Sequence, residues 1–348
     1  MKWYLLMGLA ALVLAGCGQQ SDSGKNGGGS AGENKKVAIV FDTGGRGDKS
    51  FNDSAWAGIQ RAEKDFGIEV LAIDSKSEKD YETNLASVAD QGAGLVFAVG
   101  LNMQTALEMV HIKHPDTKFA FIDGSVDAPN VRGLMFKEEE GSFLVGYLAG
   151  LMTKTNKIGF VGGEDLPLIR KFENAYAAGA EYANEKVDLL PPKYTGSWNN
   201  VDSARTAADL LFGSGADIVY HAAGRAGLGV IKAAESKKLF AIGVDMDQDG
   251  EAPGYVLTSM VKRVDEAVYS TIKDYVEGKF TPGAKVYGLA DNGVGTSEFK
   301  FTKDQIGEEN LAKLEDVKKR ILSGEIKVPA TGDALAWDKF VQQLRASK

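Results

Sequence analysis

The stretch VAIVFDTGGRGDKSFND, residues 37–53, combines an apolar run, a glycine-rich turn and the beginning of an amphipathic segment. A short apolar run that ends at a glycine-rich turn predicts a buried strand. The apolar spacing over residues 51–66 predicts a helix, with Ser50 or Asn52 at its N-cap. A buried strand followed by a turn and a helix is the first unit of a mostly parallel α/β sheet.

The same alternation of strands and helices occurs in two series along the chain. The first series predicts strands at residues 37–42, 69–74, 94–100, 118–123 and 131–136, with helices at 51–66, 78–90 and 102–114. After a helical stretch at 138–153, the second series predicts strands at 157–163, 192–197, 217–223 and 240–245, with helices near 167–186, 201–213 and 224–236. This repetition predicts an α/β fold of two lobes, each with a doubly wound, mostly parallel sheet.

The remaining predicted elements are too few for a third domain. A strand at 255–262 and a helix near 263–277 lead into two short strands at 285–290 and 294–299, and we expect these to complete the two lobes. The predicted N-terminal lobe is therefore residues 35–137 plus about 262–290, and the predicted C-terminal lobe is residues 138–261 plus about 291–348.

The N-terminal segment has the features of an export signal. Lys2 precedes an uncharged run at residues 3–15, which is too short to span a bilayer but suits a secretory signal peptide. Residues 14–17, LAGC, look like the lipobox of bacterial lipoproteins, and Cys17 is the only cysteine. We therefore predict a signal peptide at residues 1–16, lipidation of Cys17 and a flexible tether up to residue 34. The mature protein would be held at the membrane of the cell envelope by this lipid.

The overall composition excludes some classes of function. The chain has 348 residues, of which 44% are hydrophobic and 25% charged, as in ordinary globular proteins, and its length favours two lobes. Its formal net charge of -8 argues against a nucleic-acid partner, because such a partner requires a basic face that neutralises phosphates.

The glycine-rich turn does not match a phosphate-binding loop. Such a loop has a glycine directly before its lysine, whereas Asp48 stands there in this chain, and Thr43 replaces the first glycine. The dinucleotide fingerprint also fails, because Ser50 replaces its third glycine. We interpret the tripeptide RGD at residues 46–48 as a chance occurrence, and we expect Asp42 and Asp48 to accept hydrogen bonds from the backbone of the turn.

Polar and aromatic residues recur at the predicted carboxyl ends of the strands, where open α/β sheets bind ligands. A cleft between two such sheets would be lined by carboxylates and aromatic rings, which suits a flat, neutral, hydroxyl-rich ligand better than a phosphate. The residues at these ends are Phe41, Asp42, Leu101, Asn102, Asp123, Gly124, Gly163, Glu164, Ser197, Trp198, Ala223, Gly224, Asp245 and Met246.

Two other classes of function remain open from the residues alone. The chain has three histidines, no H-E-x-x-H motif and no G-x-S-x-G elbow between a predicted strand and a predicted helix, so an enzyme would have to use opposed carboxylates, as in a glycosidase-like reaction. A tethered surface adhesin would use the acidic exterior instead. Release of product over many turnovers would identify an enzyme, whereas an adhesin would gain no thermal stability from a small ligand. The acidic residues at 245–249 lack the spacing of a calcium-binding loop, and we predict no metal or cofactor.

Four ordered motifs resemble the basic membrane protein family of bacterial lipoproteins. They are FDTGGRGDKSFND at 41–53, HAAGRAGLGV at 221–230, GVDMDQ at 243–248 and TSMVKRVDEAVY at 258–269. Members of this family are substrate-binding components of ABC transporters, and the best-understood branch binds purine nucleosides. The resemblance covers the chain from Lys35 to the C-terminal helix. It implies the two-lobed type I periplasmic binding protein fold with three crossovers, a permease as partner, no enzymatic activity and a monomeric state.

The resemblance also implies a binding site for a purine nucleoside, with adenosine, guanosine and inosine as candidates. Phe41 and Trp198 would stack on the two faces of the base, although the family commonly has phenylalanine at the second position. Asp123 would accept hydrogen bonds from the base, and the lobes would close on the ligand by hinge motion. The other implied residues are Asp245 and Lys262, which would hold the ribose hydroxyls, and Ser50, Phe51, Asn52 and Gly224, which would complete the shell. The alternative within this class is another sugar-like ligand or a nucleobase.

Overall fold

A computed structural model describes residues 35–346 of the protein. The predicted signal peptide, the lipidation site Cys17 and the tether lie outside these described residues. Within residues 35–346, none of the helices combines the length and the apolar character needed to cross a bilayer.

Strands and helices alternate along the described chain. The strands are β1 Lys36–Phe41, β2 Glu69–Asp74, β3 Leu95–Val99, β4 Lys118–Ile122, β5 Val131–Phe136, β6 Lys157–Gly162, β7 Asp188–Leu189, β8 Lys193–Tyr194, β9 Ile218–Ala222, β10 Phe240–Asp245, β11 Val256–Lys262, β12 Gly283–Tyr287 and β13 Val294–Thr296. The helices are α1 Phe51–Phe66, α2 Tyr81–Asp90, α3 Gln104–Lys113, α4 Glu138–Met152, α5 Pro167–Ala183, α6 Val201–Gly213, α7 Leu228–Lys237, α8 Val264–Val276, α9 Lys303–Ile306, α10 Glu308–Leu322 and α11 Ala334–Ala346.

The strands form two sheets, which confirms the predicted α/β architecture. The first has the strand order β12-β5-β4-β3-β1-β2 and is parallel throughout. The second has the order β13-β11-β10-β9-β6-β7, with β8 beside β6, and is parallel except for the pairing of β13 with β11. We call each sheet with its helices the first lobe and the second lobe. The chain passes between them after β5, after β11 and after β12, as the three-crossover prediction requires.

One residue lies on the other side of its predicted lobe boundary. The predicted N-terminal lobe resumed at about residue 262, but Lys262 is the last residue of β11 and pairs with Val294 in the second sheet. The first crossover that returns to the first lobe therefore follows Lys262. The later strand β12 lies beside β5 in the first sheet.

The predicted strand at 192–197 is reduced to the two residues of β8. Pro191 and Pro192 precede it and lack the N–H group that a sheet ladder requires. Gly196 follows it with a φ of 67°, a left-handed conformation that bends the chain away from the sheet. The two-residue strand β7 was not predicted, since it is too short to show an alternating pattern.

Helices α4 and α5 pack with almost no space between their backbones. A Cβ atom at Gly146 would lie 2.1 Å from the carbonyl oxygen of Tyr176, and one at Gly179 would lie 2.1 Å from that of Phe143. Glycine is therefore required on both helices at this crossing. The contact brings α5 against α4 directly after the first crossover, and α5 supplies part of the wall of the site described next.

Candidate functional site

A cavity lies where the carboxyl ends of the two sheets face each other, as expected for open α/β sheets. Both lobes contribute to its wall. The predicted site residues that line it are Phe51, Asn52, Asp123, Trp198, Gly224, Asp245 and Lys262. Of the predicted set, Phe41 and Ser50 do not line it, and Cys17 lies outside the described residues.

The floor of the cavity is built around the buried ammonium group of Lys262, which is 1% exposed. Its Nζ lies 2.6 Å from Oδ1 of Asp123 and 3.1 Å from Oε1 of Glu138. Burial alone would lower the pKa of Lys262, but the carboxylates of Asp123 and Glu138 raise it above its ordinary value. Lys262 therefore stays charged, and it joins a carboxylate of the first lobe to one of the second.

Two strand-end aspartates occupy equivalent positions in the two lobes. Asp123 follows β4 and Asp245 ends β10, with φ angles of 69° and 66°. Such left-handed conformations are unfavourable for residues other than glycine and concentrate at functional sites. Burial raises the pKa of Asp245 to about 7, although Lys262 opposes this effect. The hydroxyl of Ser50 donates a hydrogen bond to Asp245 across the cleft. Ser50 therefore positions a residue of the cavity wall without lining the cavity itself.

The glycine-rich turn is organised by its two predicted structural aspartates. Asp48 accepts hydrogen bonds from the backbone N–H groups of Ser50, Asn52 and Asp53 at 2.9–3.0 Å. It therefore caps α1, whereas Ser50 holds the N-cap position without a capping bond. Asp42 accepts from the backbone of the turn and from the side chain of Asn52, and burial raises its pKa to about 6. Both aspartates also line the cavity.

Asn52 lines the cavity and has one hydrogen-bond acceptor without a partner within residues 35–346. Its Nδ2 donates to Asp42 at 2.9 Å and to Asp48 at 3.0 Å, so both amide hydrogens are used. Its Oδ1 is buried and has no hydrogen-bond partner among the described residues. A buried amide oxygen without a partner is costly, and a donor on a bound ligand would satisfy it.

The tripeptide at residues 46–48 is not available as an adhesion motif. Asp48 is 1% exposed and committed to the turn. The guanidinium of Arg46 binds both carboxylate oxygens of Asp74 and lies 4.9 Å from the ring centre of Trp56. The structure thus supports the interpretation of this tripeptide as accidental.

The stacking role predicted for Phe41 needs correction. Phe41 belongs to the same buried cluster as Val37 and Ile39, because alternate residues of β1 point toward the same face of the sheet. Its ring meets Trp56 edge-on at 6.2 Å. The phenylalanine that lines the cavity from the first lobe is Phe51, ten residues later.

Trp198 lines the opposite side of the cavity, from the second lobe. A Cβ at Gly163 would lie 2.4 Å from its indole ring, so the ring rests directly on the backbone at the end of β6. Gly224 has a φ of 55° and lies beside the backbone of Trp198. Phe51 and Trp198 thus place one aromatic ring in the wall from each lobe.

The match to known proteins decides the family. Residues 35–332 match the model of the Bmp family, described as ABC transporter substrate-binding protein PnrA-like. The chain belongs to this family. The predicted resemblance to basic membrane proteins is confirmed, and the protein is a substrate-binding protein of an ABC transporter and not an enzyme.

Individual relatives match the chain over most of their length. The chain is 37% identical to the CD4+ T-cell-stimulating antigen of Listeria innocua, with 92% of this chain and 95% of the relative covered. It is 35% identical to the ABC transporter nucleoside-binding protein BmpA of Lactococcus lactis subsp. cremoris, with 91% and 95% covered. A solved ABC transporter solute-binding protein from Aeropyrum pernix K1 is 29% identical, with a TM-score of 0.81 and coverage of 89% of this chain and 97% of that one. The protein therefore has the predicted two-lobed fold of periplasmic solute-binding proteins.

Several residues of the cavity wall were not predicted from the sequence. Phe172, Leu166 and Ile169 line the cavity from α5 and the segment before it, where their apolar pattern gives no sign of a ligand. By contrast, Asn102 and Arg225 are polar residues that closely follow predicted strands, and this position is the signal that could have indicated them. Four carboxyl groups and two cations line the cavity, so the wall has no surplus of positive charge that would hold a phosphate. The lining carboxylates are Asp42, Asp48, Asp123 and Asp245, and the cations are Arg225 and Lys262.

Proposed function

We propose that this substrate-binding protein captures purine nucleosides between its lobes and delivers them to an ABC transporter permease. The observation that carries the proposal is the pairing of aromatic rings from the two lobes, Phe51 and Trp198, with a charged, hydrogen-bonding floor at Asp123 and Lys262. Aromatic rings stack on bases of any identity, at about 1–3 kcal/mol per base in nucleic-acid systems. The relative from Lactococcus lactis, which is named a nucleoside-binding protein, supports the same ligand class.

The contact between Asp123 and Lys262 changes the predicted division of the site. These groups were assigned to the base and to the ribose, but their separation of 2.6 Å makes them neighbours in the cavity wall. We therefore assign Asp123, Lys262 and Asp245 together to the ribose hydroxyls. Charged groups form strong hydrogen bonds to hydroxyls, so this cluster can compete with water for them.

The base then lies nearer the glycine-rich turn. Asn52 Oδ1 is a buried acceptor without a partner, and the Asp42 carboxylate lies beside it. Two acceptors match N–H groups at the edge of a purine. Phe51 takes the stacking role first assigned to Phe41, opposite Trp198.

Calorimetry on the purified full chain tests this function. We expect adenosine, guanosine or inosine to bind more tightly than the free base, and ribose alone to bind weakly because it cannot stack. Asp245→Ala should reduce the affinity for a nucleoside more than the affinity for its base. Equal losses for both, or a sugar that binds as tightly as any nucleoside, would contradict the assignment. Mass spectrometry of ligand retained by protein purified without refolding provides an independent measurement.

The membrane anchor is a separate part of the proposal. Acylation of Cys17 would hold the protein at the cell envelope as a monomer next to its permease. Cys17→Ala should move the protein from the membrane fraction to the soluble fraction without changing its affinity for nucleoside. An unmodified cysteine in the mass spectrum of the membrane-bound protein would contradict this anchor.

A further inference from the structure

The glycine-rich turn contacts the second lobe through its backbone. Three of its carbonyl oxygens, each three residues from the next, accept hydrogen bonds from side chains of that lobe. The bonds are Asn199 Nδ2 to Thr43 O at 3.2 Å, Arg225 Nη2 to Arg46 O at 2.8 Å and Gln248 Nε2 to Lys49 O at 2.9 Å. We propose that this turn is the latch that holds the lobes closed, and that Asn199 and Gln248 set the affinity for every ligand without touching it.

The first-lobe side of the latch is rigid before the lobes meet. Asp53 accepts hydrogen bonds from the backbone N–H groups of Gly47 and Lys49, at 2.6 and 2.9 Å. Gly45, Gly47 and Lys49 all have left-handed φ angles, of 61°, 85° and 57°. The N–H groups are thus bound within the first lobe, while the carbonyl oxygens of the turn remain free to accept bonds from the second lobe. Closure therefore requires little reorganisation of the turn.

The Gln248 side of the latch is also oriented in advance. Its Oε1 accepts hydrogen bonds from the backbone N–H of Val244 and from Nε2 of His221, each at 3.0 Å. Both donors belong to the second lobe, so they direct the amide NH₂ group toward the turn whatever the first lobe does. His221 is fully buried, and burial lowers its pKa to about 4, so it stays neutral at physiological pH. The His221 ring fits because residue 227 is glycine, where a Cβ would lie 1.9 Å from Nδ1.

Neither Asn199 nor Gln248 lines the cavity. Weakening either bond would lower the population of the closed state and leave the contacts of the ligand unchanged. The apparent affinity of any ligand is reduced in proportion to the loss of the binding-competent state. This inference rests on the proposed function only in requiring that a ligand binds between the lobes.

The test uses Asn199, which is exposed and donates across the cleft through one atom. Asn199→Ala removes the donor, and Asn199→Asp replaces it with a carboxylate that faces the carbonyl of Thr43. The matched control is Asn200→Ala, since Asn200 is also exposed but caps α6 by accepting from Ser203 N at 3.0 Å. Stopped-flow fluorescence on the full chain, with Trp198 as the reporter, measures dissociation of adenosine and of adenine. Small-angle X-ray scattering measures the radius of gyration of the unliganded protein, which increases when the lobes open.

We expect each Asn199 variant to release both ligands faster than the parent. Within one variant the dissociation rates of adenosine and adenine should rise by the same factor, roughly three- to tenfold for a lost hydrogen bond. The radius of gyration should rise in the same variants, because more of the unliganded protein is open, and Asn200→Ala should match the parent in both measurements. Unchanged dissociation and radius of gyration, a loss confined to the nucleoside, or an equal effect of Asn200→Ala would overturn the latch. If neither adenosine nor adenine binds, the proposed function fails, and the scattering measurement still decides on the latch.

Discussion

At the scale of single residues, the site depends on carboxyl groups whose chemistry is changed by burial. Asp42 and Asp245 are both buried in the cavity wall, and burial raises their pKa values to about 6 and about 7. Asp123 is shifted in the same direction by burial, even though Lys262 opposes it. Groups that titrate near physiological pH and face a cavity are expected at binding sites. They also make the strength of binding depend on pH.

We predict that the affinity for nucleoside decreases as the pH falls from 8 to 6. Ribose hydroxyls would donate to the ionised form of Asp245, so binding lowers its pKa and releases a proton. Affinity is then lost as the pH falls through the value of about 7 in the unliganded protein. Because the ionised fraction drops from about nine-tenths to about one-tenth, the loss should be about tenfold.

Calorimetry in buffers of different ionisation enthalpy measures both the affinity and the proton release. Asp245→Asn is the control, and it should bind nucleoside weakly with little pH dependence above pH 6. Asp42 titrates near pH 6, so its contribution would persist in this variant at lower pH. A parent protein that binds equally well at pH 6 and pH 8 would contradict the role of Asp245.

The two phenylalanines beside the turn should respond differently to truncation. Phe51→Ala removes a ring from the cavity wall, and we expect a loss of about 1–3 kcal/mol in binding free energy for nucleosides and bases alike. Phe41→Ala leaves a hole in the core of the first lobe, and we expect a loss of about 3–5 kcal/mol in the free energy of unfolding. Calorimetric affinity and urea denaturation separate these effects. A larger loss of affinity in Phe41→Ala than in Phe51→Ala would restore the original stacking assignment.

At the scale of secondary-structure elements, close helix contacts position the walls of the cavity. Helix α4 starts directly after the first crossover with Glu138, whose carboxylate holds both Lys262 and Lys171. Burial alone would raise the pKa of Glu138. The two ammonium groups lower this pKa by more than burial raises it, so it lies below its ordinary value. Lys171 belongs to α5, so this buried pair and the glycine crossing both tie α5 to the floor of the site. Movement of α5 would displace Phe172 and Ile169 in the wall.

Alanine substitutions at two helical glycines test the close contact. Gly146→Ala would place a methyl group 2.1 Å from the Tyr176 carbonyl oxygen, and we expect a loss of at least about 1–3 kcal/mol in the free energy of unfolding. Gly213→Ala, near the end of α6, meets nothing within 4 Å and should increase stability by about 0.5–1 kcal/mol. Denaturant unfolding measures both. Equal stability of the two variants would show that α4 and α5 can separate at little cost.

At the scale of the whole molecule, three chain crossings join two lobes that also bond directly to each other. The ion pair of Lys262 with Asp123, the bond from Ser50 to Asp245 and the latch all cross the cleft. A ligand that contacts both lobes adds to these interactions only in the closed form. Ligand binding, lobe closure and global stability should therefore change together.

We predict that a nucleoside raises the unfolding temperature of the full chain in a concentration-dependent way. Ligand bound only to the folded state stabilises it by about 2.7 kcal/mol at a hundred times the dissociation constant. Differential scanning fluorimetry across a concentration series measures this effect, with ribose as the matched control. A melting temperature that stays constant for every purine nucleoside at millimolar concentration would refute the proposed ligand class.

The elements themselves were largely predictable from the sequence. Helix α1 and strands β2, β5 and β10 have the predicted bounds, because each has a strong apolar period and a clear glycine or charged boundary. Short elements without a period, such as β7, gave no signal. The predicted roles of Asp42 and Asp48 also agree with the structure, since an aspartate beside a glycine-rich turn has few alternatives to capping the local backbone.

The sequence by itself determined the alternation of strands and helices, the two-lobed α/β architecture, the family and the positions at which a site could form. Only the tertiary structure decided which residues of the turn face the ligand cavity. The side chain of Phe41 follows the two-residue period of β1 into the core, whereas Phe51 leaves the turn on the side of the cleft. Only the tertiary structure could bring Asp123 of one lobe to Lys262 of the other. The reason is physical: local patterns specify local conformation, but contacts across a cleft depend on how two separately folded sheets meet.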